Sequence, residues 1–301
     1  MGSRGSALAL WQSEHVIEKL RHLWPDHRFS IKKITTQGDE VLDVPLARIG
    51  GRGLFVKEIE SALISGEIDL AVHSLKDMPS QIASGLELAA IGEREDARDV
   101  LVSRDNLSLA QLPPGARIGT SSPRRAAQLL AYRPDLQLVN MRGNLDTRLR
   151  KARSEDYEGA ILAAAGLIRM GWAGYISEYI PMDVCLPAIG QGALAIETRA
   201  GDEDVERLVA PLDHKETRAA VVAERALMRA LGGGCQAPVG AYGLAQGNVL
   251  ELRGVVASLD GERVLRERIA GSAGQAEQLG QELANILLSL GAAEILEAAK
   301  G

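Results

Sequence analysis

The sequence predicts an α/β protein with mostly parallel sheets, followed by a small α+β domain. Segments that suit strands and helices alternate along the first two thirds of the 301 residues, which is typical of βαβ units. Some strands are apolar runs that suit burial on both faces, such as DLAVHSLKD at residues 69–77. The last third instead carries three alternating strands separated by glycine turns, which indicates an antiparallel meander.

Length and composition describe a globular protein with more than one domain. A chain of 301 residues, 46% of them hydrophobic and 25% charged, is long enough for two or three cores. No apolar run approaches the roughly 20 residues of a membrane span, and the N-terminus lacks the pattern of a signal peptide. The two cysteines, Cys185 and Cys235, lie far apart and favour neither a disulfide framework nor a metal site. We therefore expect a cytoplasmic protein without a metal ion.

The chain opens with a short turn and an amphipathic helix. Residues 6–23 place apolar side chains on one side of that helix. Arg4 and Ser6 lie just ahead of it. Because helix N-termini carry free N–H groups that attract anions, these two residues suit an anion pocket. A strand is expected next, at residues 29–36.

The following segment predicts a lid and a strand that ends in charge. Residues 37–57 have glycines at positions 38, 50, 51 and 53 and no clear period, which suits either a mobile lid or a flexible connection; the lid is favoured. A helix is expected at residues 55–66. The strand at residues 69–77 then ends at Lys76 and Asp77, which suits either a surface ion pair or a ligand site at the carboxyl end of a strand.

An excess of arginine marks the middle of the chain. Residues 117–153 hold nine basic and two acidic residues, a local net charge of +7 in a protein of net charge −6. A guanidinium group pairs with carboxylate or phosphate through two hydrogen bonds, so the excess indicates an anionic partner. A solvated helix face explains Arg150, Lys151 and Arg153 instead. Nucleic acid is disfavoured, because aromatic residues make up only 3% of the chain and stacking platforms are missing.

The strongest anion-site signature is the strand, turn and helix that begins at residue 116. Ser122 suits the N-cap, and the proline after it suits the first helical position. Thr120, Ser121 and Ser122 then present hydroxyl and N–H groups at a helix N-terminus. Arg124 and Arg125 lie in the first turn of the same helix, which strengthens the attraction for an anion.

The plan of strand, turn and helix recurs twice. Residues 136–153 carry Arg142 in the turn and Arg148 in the helix, and the next repeat carries Arg169 near its helix end. Residues 185–200 return to strand character and predict a crossing back to the first domain.

The last third of the chain presents a cysteine on a glycine turn. A predicted helix at residues 216–231 is followed by GGGC, whose glycines permit positive φ and place Cys235 at the tip. A helix C-terminus does not favour a thiolate, so a permanent thioether fits Cys235 better than a cycling nucleophile. Cys185, in an apolar run, is interpreted as structural, and His73 as packed at a strand end. A final helix is expected at residues 276–290.

Seven motifs lie in order along nearly the whole chain. They are SRGSALALWQ (3–12), GGRGLFVKE (50–58), AVHSLKDMPS (71–80), GTSSPRR (119–125), MRGNLDTRL (141–149), LPAIGQGAL (186–194) and GGGCQAPVGAY (232–242). Together they resemble the porphobilinogen deaminase family, also called hydroxymethylbilane synthases. That family usually has a few further strand residues before SRGS, so a shortened first strand is expected here.

The resemblance implies three domains, the first two built like periplasmic binding proteins with an active cleft between them. The expected boundaries are residues 1–92 completed by 193–213, residues 98–186, and residues 216–301. It also implies a transferase of tetrapyrrole (haem) biosynthesis. Such an enzyme condenses porphobilinogen units stepwise with loss of ammonia and then releases the linear hydroxymethylbilane by hydrolysis. A non-catalytic polycarboxylate-binding protein is the alternative.

The resemblance also implies roles for individual residues. Cys235 would carry a dipyrromethane cofactor through a thioether, and each pyrrole's acetate and propionate would supply the anions for the arginines. Asp77 corresponds to the catalytic acid, which assists loss of ammonia and stabilises the azafulvenium cation. The positions that match cofactor-binding residues are Lys76, Thr120, Ser121, Ser122, Arg124, Arg125 and Arg148. The positions that match holders of the substrate or growing chain are Arg4, Ser6, Arg142 and Arg169. The family's lid matches residues 39–57, and a monomer is expected.

Overall fold

The computed structural model describes residues 1–36, 38, 56–232 and 237–299. Cys235 and nearly all of the predicted lid lie outside these residues. The described chain divides into two compact units, Met1–Glu95 with Ala193–Arg218 and Asp96–Gly192 with Ala219–Gly301. The boundaries of three domains stay a prediction.

Strands and helices alternate through both units. The strands are β1 (Gly2–Ser3), β2 (Lys32–Lys33), β3 (Leu70–Ser74), β4 (Leu86–Ile91), β5 (Asp99–Ser103), β6 (Arg117–Gly119), β7 (Gln137–Val139), β8 (Gly159–Ala163), β9 (Glu178–Tyr179), β10 (Leu194–Arg199), β11 (Val239–Gln246), β12 (Val249–Ala257) and β13 (Val264–Ser272). The helices are α1 (Ala7–Leu23), α2 (Lys57–Ile64), α3 (Pro123–Tyr132), α4 (Leu145–Ala152), α5 (Ala164–Arg169), α6 (Glu203–Val209), α7 (Lys215–Ala230), α8 (Ala276–Ser289) and α9 (Ala292–Ala298).

The first unit is built on a five-stranded sheet in the order β2-β1-β3-β10-β4. β1 pairs in parallel with both β2 and β3, whereas β10 runs antiparallel to β3 and β4. Four strands therefore share one direction. Side chains of α1 and α6 cover the face that carries Leu70 and Val72, and α2 covers the face that carries Ala71. Burial on both faces explains why β3 reads as a nearly continuous apolar run.

The second unit contains a sheet of the same topology, in the order β7-β6-β8-β5-β9. β6 pairs in parallel with β7 and β8, and β5 is antiparallel to β8 and β9. Again four of the five strands share one direction, and the antiparallel strand is fourth in the order. Apolar clusters lie on both faces, one around Leu101 and Ile118 and the other around Val100 and Leu162. The predicted mostly parallel α/β sheets are confirmed.

A three-stranded antiparallel sheet, β11-β12-β13, forms the C-terminal part of the second unit. Its two hairpin turns contain Gly247 and Gly261 at φ +58° and +77°, a region that favours glycine. The apolar face packs on α7, α8 and α9 through residues such as Leu227, Leu283 and Ile295. The predicted small α+β domain is confirmed, although the sequence analysis did not predict α9.

Among the described helices, none is by itself long and apolar enough to cross a bilayer. Residues 273–289 and α9 together have sufficient length and apolar character, but the pair is bent by 81°.

Two predicted elements differ from the structure in length. The strand expected at residues 29–36 is reduced to β2, whose two lysines are exposed at the sheet edge. β1 has only two residues, as expected for a shortened first strand, yet it hydrogen-bonds to a neighbour on each side.

Candidate active site

Charged and polar side chains of the first unit lie where β1 and β3 end. The two strands are parallel neighbours, so their carboxyl ends meet at one edge of the sheet, where α/β proteins usually bind ligands. Arg4 and Ser6 follow β1, while Lys76 and Asp77 follow β3. The four residues predicted from separate motifs thus belong to one sheet edge.

The turn after β3 is tied to α1 by a hydrogen bond at its start and is exposed to solvent at Asp77. Residues 75–77 form a single 3-10 turn in which Leu75 is buried, Lys76 is half-buried and Asp77 is exposed. The Gln12 side-chain amide on α1 donates to the hydroxyl of Ser74 at 2.9 Å, which ties the helix to the strand end. The Asp77 carboxylate is therefore held on a fixed turn while remaining accessible to a substrate.

Three parallel strands of the second unit, β6, β7 and β8, also end at a common edge. Thr120 and Ser121 follow β6, Arg142 follows β7, and α5 runs from the end of β8 to Arg169. The Ser121 hydroxyl lies 2.5 Å from Oδ1 of Asn140 and 2.6 Å from the carbonyl of the next residue, so it joins the segments after β6 and β7. These contacts fix the backbone around the predicted anion site.

The N-terminus of α3 has the predicted capping geometry. The Ser122 hydroxyl accepts a hydrogen bond from the N–H of Arg125 at 3.4 Å, and the Thr120 hydroxyl accepts from the N–H of Ser122 at 3.2 Å. On α4, Arg148 donates from Nε to the carbonyl of Gly143 at 2.9 Å. Gly143 has φ +124°, which a side chain would disfavour, so the turn before α4 depends on glycine.

Arg124 and Arg125 point into the second unit and share one carboxylate. Nη1 of Arg124 donates to Oδ2 of Asp99 at 2.7 Å and to the carbonyl of Leu186. Arg125 donates to Oδ1 of Asp99 from Nε at 3.0 Å and from Nη2 at 2.7 Å, and from Nη1 to the carbonyl of Ile161 at 2.9 Å. Both guanidinium groups are buried, and Asp99 is wholly buried. The arginine pair therefore has an internal anion that sequence analysis did not predict.

The charges of this cluster set the protonation of its members. Burial opposes ionisation of Asp99, but the charges of Arg124 and Arg125 and their hydrogen bonds outweigh it and hold the pKa of that carboxyl well below its usual range. Burial, with a smaller effect of the neighbouring Asp99, raises the pKa of Cys185 to about 12. Cys185 is thus a buried neutral thiol, as expected for a structural cysteine.

Comparison with known proteins decides the family. Residues 1–207 match the family described as "Porphobilinogen deaminase, dipyromethane cofactor binding domain", and residues 218–289 match "Porphobilinogen deaminase, C-terminal domain". A porphobilinogen deaminase of Pelotomaculum thermopropionicum is 51% identical over 300 residues, which are 100% of this chain and 96% of that protein. One of Syntrophotalea carbinolica is 54% identical over 298 residues, 99% of this chain and 95% of that protein.

The chain belongs to the porphobilinogen deaminase family. It carries that family's dipyrromethane cofactor binding domain, and the described residues form two mixed sheets and a small α+β domain. Among solved structures, a TRAP periplasmic solute binding protein of Pseudomonas putida F1 with bound D-glucuronate has a TM-score of 0.40 and 12% identity, over 76% of this chain and 81% of that one.

The predicted site residues of this chain fall into two described groups. The first unit holds Arg4, Ser6, Lys76 and Asp77, and the second holds Thr120, Ser121, Ser122, Arg124, Arg125, Arg142, Arg148 and Arg169. Cys235 lies outside the described residues. Among the residues that are described, no group of three or more His, Cys, Asp or Glu side chains is arranged to hold a metal ion.

Sequence analysis missed the buried acids of both units. Asp99 is the buried first residue of the apolar strand β5, and its pairing with the two arginines was not predicted. Glu197 likewise lies in a strand, and its Oε2 is 3.0 Å from Nε2 of His73 in the interior of the first unit. An ionisable residue inside an otherwise apolar strand is the one signal that pointed to either pair, because acids are rarely buried without a partner.

Proposed function

We propose that this protein works as a porphobilinogen deaminase, which condenses porphobilinogen units with loss of ammonia and releases linear hydroxymethylbilane. The observation that carries the proposal is the extent of the match. Family domains cover residues 1–207 and 218–289, and relatives at 51–54% identity align over almost their whole length. The described sheet edges add a chemical reason, because porphobilinogen carries carboxylates and both edges present cationic and hydroxyl groups.

The carboxylates of the substrate and the cofactor are bound in this proposal by the groups at the two sheet edges. The cofactor is held by Lys76, Thr120, Ser121, Ser122, Arg124, Arg125 and Arg148. The substrate and growing chain are held by Arg4, Ser6, Arg142 and Arg169. The position of Thr120, Ser121 and Ser122 at the N-terminus of α3 supports the first assignment, since the backbone N–H groups of a helix N-terminus favour anions. Bound in this way, a dipyrromethane would supply the pyrrole carbon to which the first substrate unit is joined.

Cys235 is the proposed attachment residue, and the state of the other cysteine supports it. The sequence contains two cysteines. Cys185 has no exposed surface and a pKa raised to about 12, so its thiolate is neither populated nor reachable at neutral pH. A thioether to the protein therefore has to be formed by Cys235.

Asp77 is the proposed catalytic acid. It is exposed at the end of the 3-10 turn of residues 75–77, directly after Lys76 in the sequence. As ammonia leaves porphobilinogen, positive charge develops on the substrate, and a fixed carboxylate stabilises that charge more than it stabilises the neutral ground state. The same carboxyl group can transfer a proton to the departing amine when protonated.

Two measurements on one preparation test the function. Protein produced in cells that make porphobilinogen should show an intact mass above that of the bare sequence, and it should release ammonia when supplied with porphobilinogen. Cys235→Ser, with Cys185→Ser as its matched control, should lose the mass increment while the control keeps it. A bare mass together with tight porphobilinogen binding and no ammonia would instead identify a polycarboxylate-binding protein.

The proposal also includes a cytoplasmic monomer that binds no nucleic acid. Light scattering after size exclusion should give the mass of one chain, 32.1 kDa, and a gel-shift titration at low salt should show no retarded complex.

A further inference from the structure

Asp99 receives more hydrogen bonds than a single ion pair requires. Besides the two arginines on α3, it accepts a bond at Oδ1 from Nε2 of Gln191 at 2.9 Å, and Gln191 is also buried. The same Nε2 donates to the carbonyl of Ala97 at 2.7 Å. The Asp99 carboxylate is therefore held on both oxygens by donors from α3 and from the loop that carries Gln191. Such a fully bonded buried carboxylate has one orientation.

The loop that carries Gln191 also contacts a third predicted site arginine. Nη2 of Arg169 donates to the carbonyl of Gly192 at 2.6 Å. The N–H of Gly190 donates to Oε2 of the wholly buried Glu224 at 2.7 Å. Gly190 and Gly192 have φ +69° and +90°, so this turn needs glycine on each side of Gln191. The loop is thus fixed at both ends and in the middle.

The two arginines on α3 are held in different ways. Arg125 uses Nε, Nη1 and Nη2 for protein partners, so its guanidinium plane is completely fixed. Arg124 donates from Nη1 to Asp99, Cys185 and the carbonyl of Leu186, and its Nε and Nη2 have no hydrogen-bond partner among the described residues. Two arginines and one aspartate leave a local charge of +1. The cluster therefore retains both a positive charge and donors for a carboxylate.

We propose that Asp99, acting with Gln191, is a positioning residue that sets the orientation of Arg124, Arg125 and Arg169 for the carboxylates of the cofactor and substrate. The inference rests on the proposed function and assigns a task to two residues outside the sheet-edge motifs. Asp99 fixes the arginine pair directly, and Gln191 transmits its position to Arg169 through the Gly190–Gly192 turn. Misplacement of a binding group by about 1 Å is enough to change rates substantially.

The experiment compares Asp99→Asn with a matched arginine–aspartate pair. Asn keeps the size of Asp99 but removes its charge. Asp135→Asn is the control, because Asp135 pairs with Arg133 at 2.7 Å at the other end of the same helix, partly in solvent. Each folded variant, prepared without porphobilinogen, is titrated with porphobilinogen. Intact mass gives the concentration at which half of the protein carries the primer, and ammonia release gives KM and kcat of the primed fraction.

Positioning and structural roles give different results. We expect Asp99→Asn to need at least about tenfold more porphobilinogen for half-priming and to show a raised KM, with the control unchanged. A purely structural role would lower thermal stability while leaving half-priming and KM of the folded protein at their unmodified values, and that result would overturn the proposal.

A second variant covers the case in which Asp99→Asn does not fold. Gln191→Met keeps the length of the side chain and leaves the Asp99 charge in place, while it removes the amide that donates to Asp99 and to the carbonyl of Ala97. We expect KM to rise about threefold or more, since Arg169 loses its fixed support. An unchanged KM for folded Gln191→Met would refute the positioning role of the pair. If the unmodified protein itself takes up no primer and releases no ammonia, the proposed function fails instead, which the same titration reveals.

Discussion

Replacing Asp99 by Asn should lower the free energy of unfolding by about 3–5 kcal/mol at pH 7, the usual effect of removing one partner from a buried ion pair. The carboxylate has no exposed surface, and three arginine N–H bonds of 2.7–3.0 Å converge on it. In the variant, two buried guanidinium groups would remain without a counter-ion. The amide N–H₂ would also face an arginine donor, so one bond would become a repulsive contact.

The pH dependence of this loss has a definite sign. The folded-state pKa of Asp99 lies well below its usual range, and the unfolded carboxyl titrates at about 3.9. Asp99 therefore contributes its full stability above about pH 4, and that contribution decreases as pH falls toward the folded pKa. The difference between the unmodified protein and Asp99→Asn should be constant from pH 7 to pH 5 and become smaller below about pH 4.

Urea unfolding followed by circular dichroism measures both effects. The two proteins are compared at several pH values, with Asp135→Asn as the exposed control, whose midpoint should stay near that of the unmodified protein. A loss below about 1 kcal/mol at pH 7 would mean that the arginines find other partners or water. A loss that grows as pH falls would contradict the assigned direction of the Asp99 pKa shift.

Other predictions concern the cysteines, the acid and the arginines. Thiol titration of primed protein should find no reactive thiol in the native state and one after denaturation, from Cys185; two in the denatured state would refute the thioether at Cys235. Asp77→Asn should keep the mass increment but lose most turnover, about 10²-fold or more, and normal turnover would show that another group is the acid. Arg124→Gln and Arg125→Lys should each give largely unprimed protein, since Gln lacks the charge and Lys lacks the planar fork; full priming of both would show that neither binds the cofactor.

Local features of the site were predictable because their partners are close in sequence. The Ser122 cap is predictable because its partner is an N–H only three residues later. β3 and the turn after it that carries Asp77 are predictable from an apolar run followed by charged residues. The buried hydrogen-bonded cluster of Asp99, Arg124, Arg125 and Gln191, called the hub below, was not predictable in this way. Its arginine partners lie 25 and 26 residues away and Gln191 lies 92 residues away, so nothing in the local sequence shows that these side chains meet.

The excess of arginine at residues 117–153 has two structural explanations. The local excess of positive charge predicted an external anion, and no sequence feature separated arginines that face a ligand from arginines that balance an internal acid. The two classes of arginine differ in how far each guanidinium group is buried. That burial depends on the packing of β5, α3 and the loop before β10. The edge strand β2 shows a similar ambiguity, because Phe29 and Ile34 beside it pack against the apolar clusters of the first unit while only the two exposed lysines pair as a strand.

The hub joins the two ends of the segment that forms the second sheet. Ala97 and Asp99 lie at the start of residues 96–192, and Gln191 lies at their end, so the bonds from Gln191 to both residues bring that segment's entry and exit together. The arginines on α3 obtain their final counter-ion geometry only when this closure is made. We therefore expect formation of the sheet and orientation of the anion-binding groups to be coupled, a link that apolar residues of similar volume could not provide.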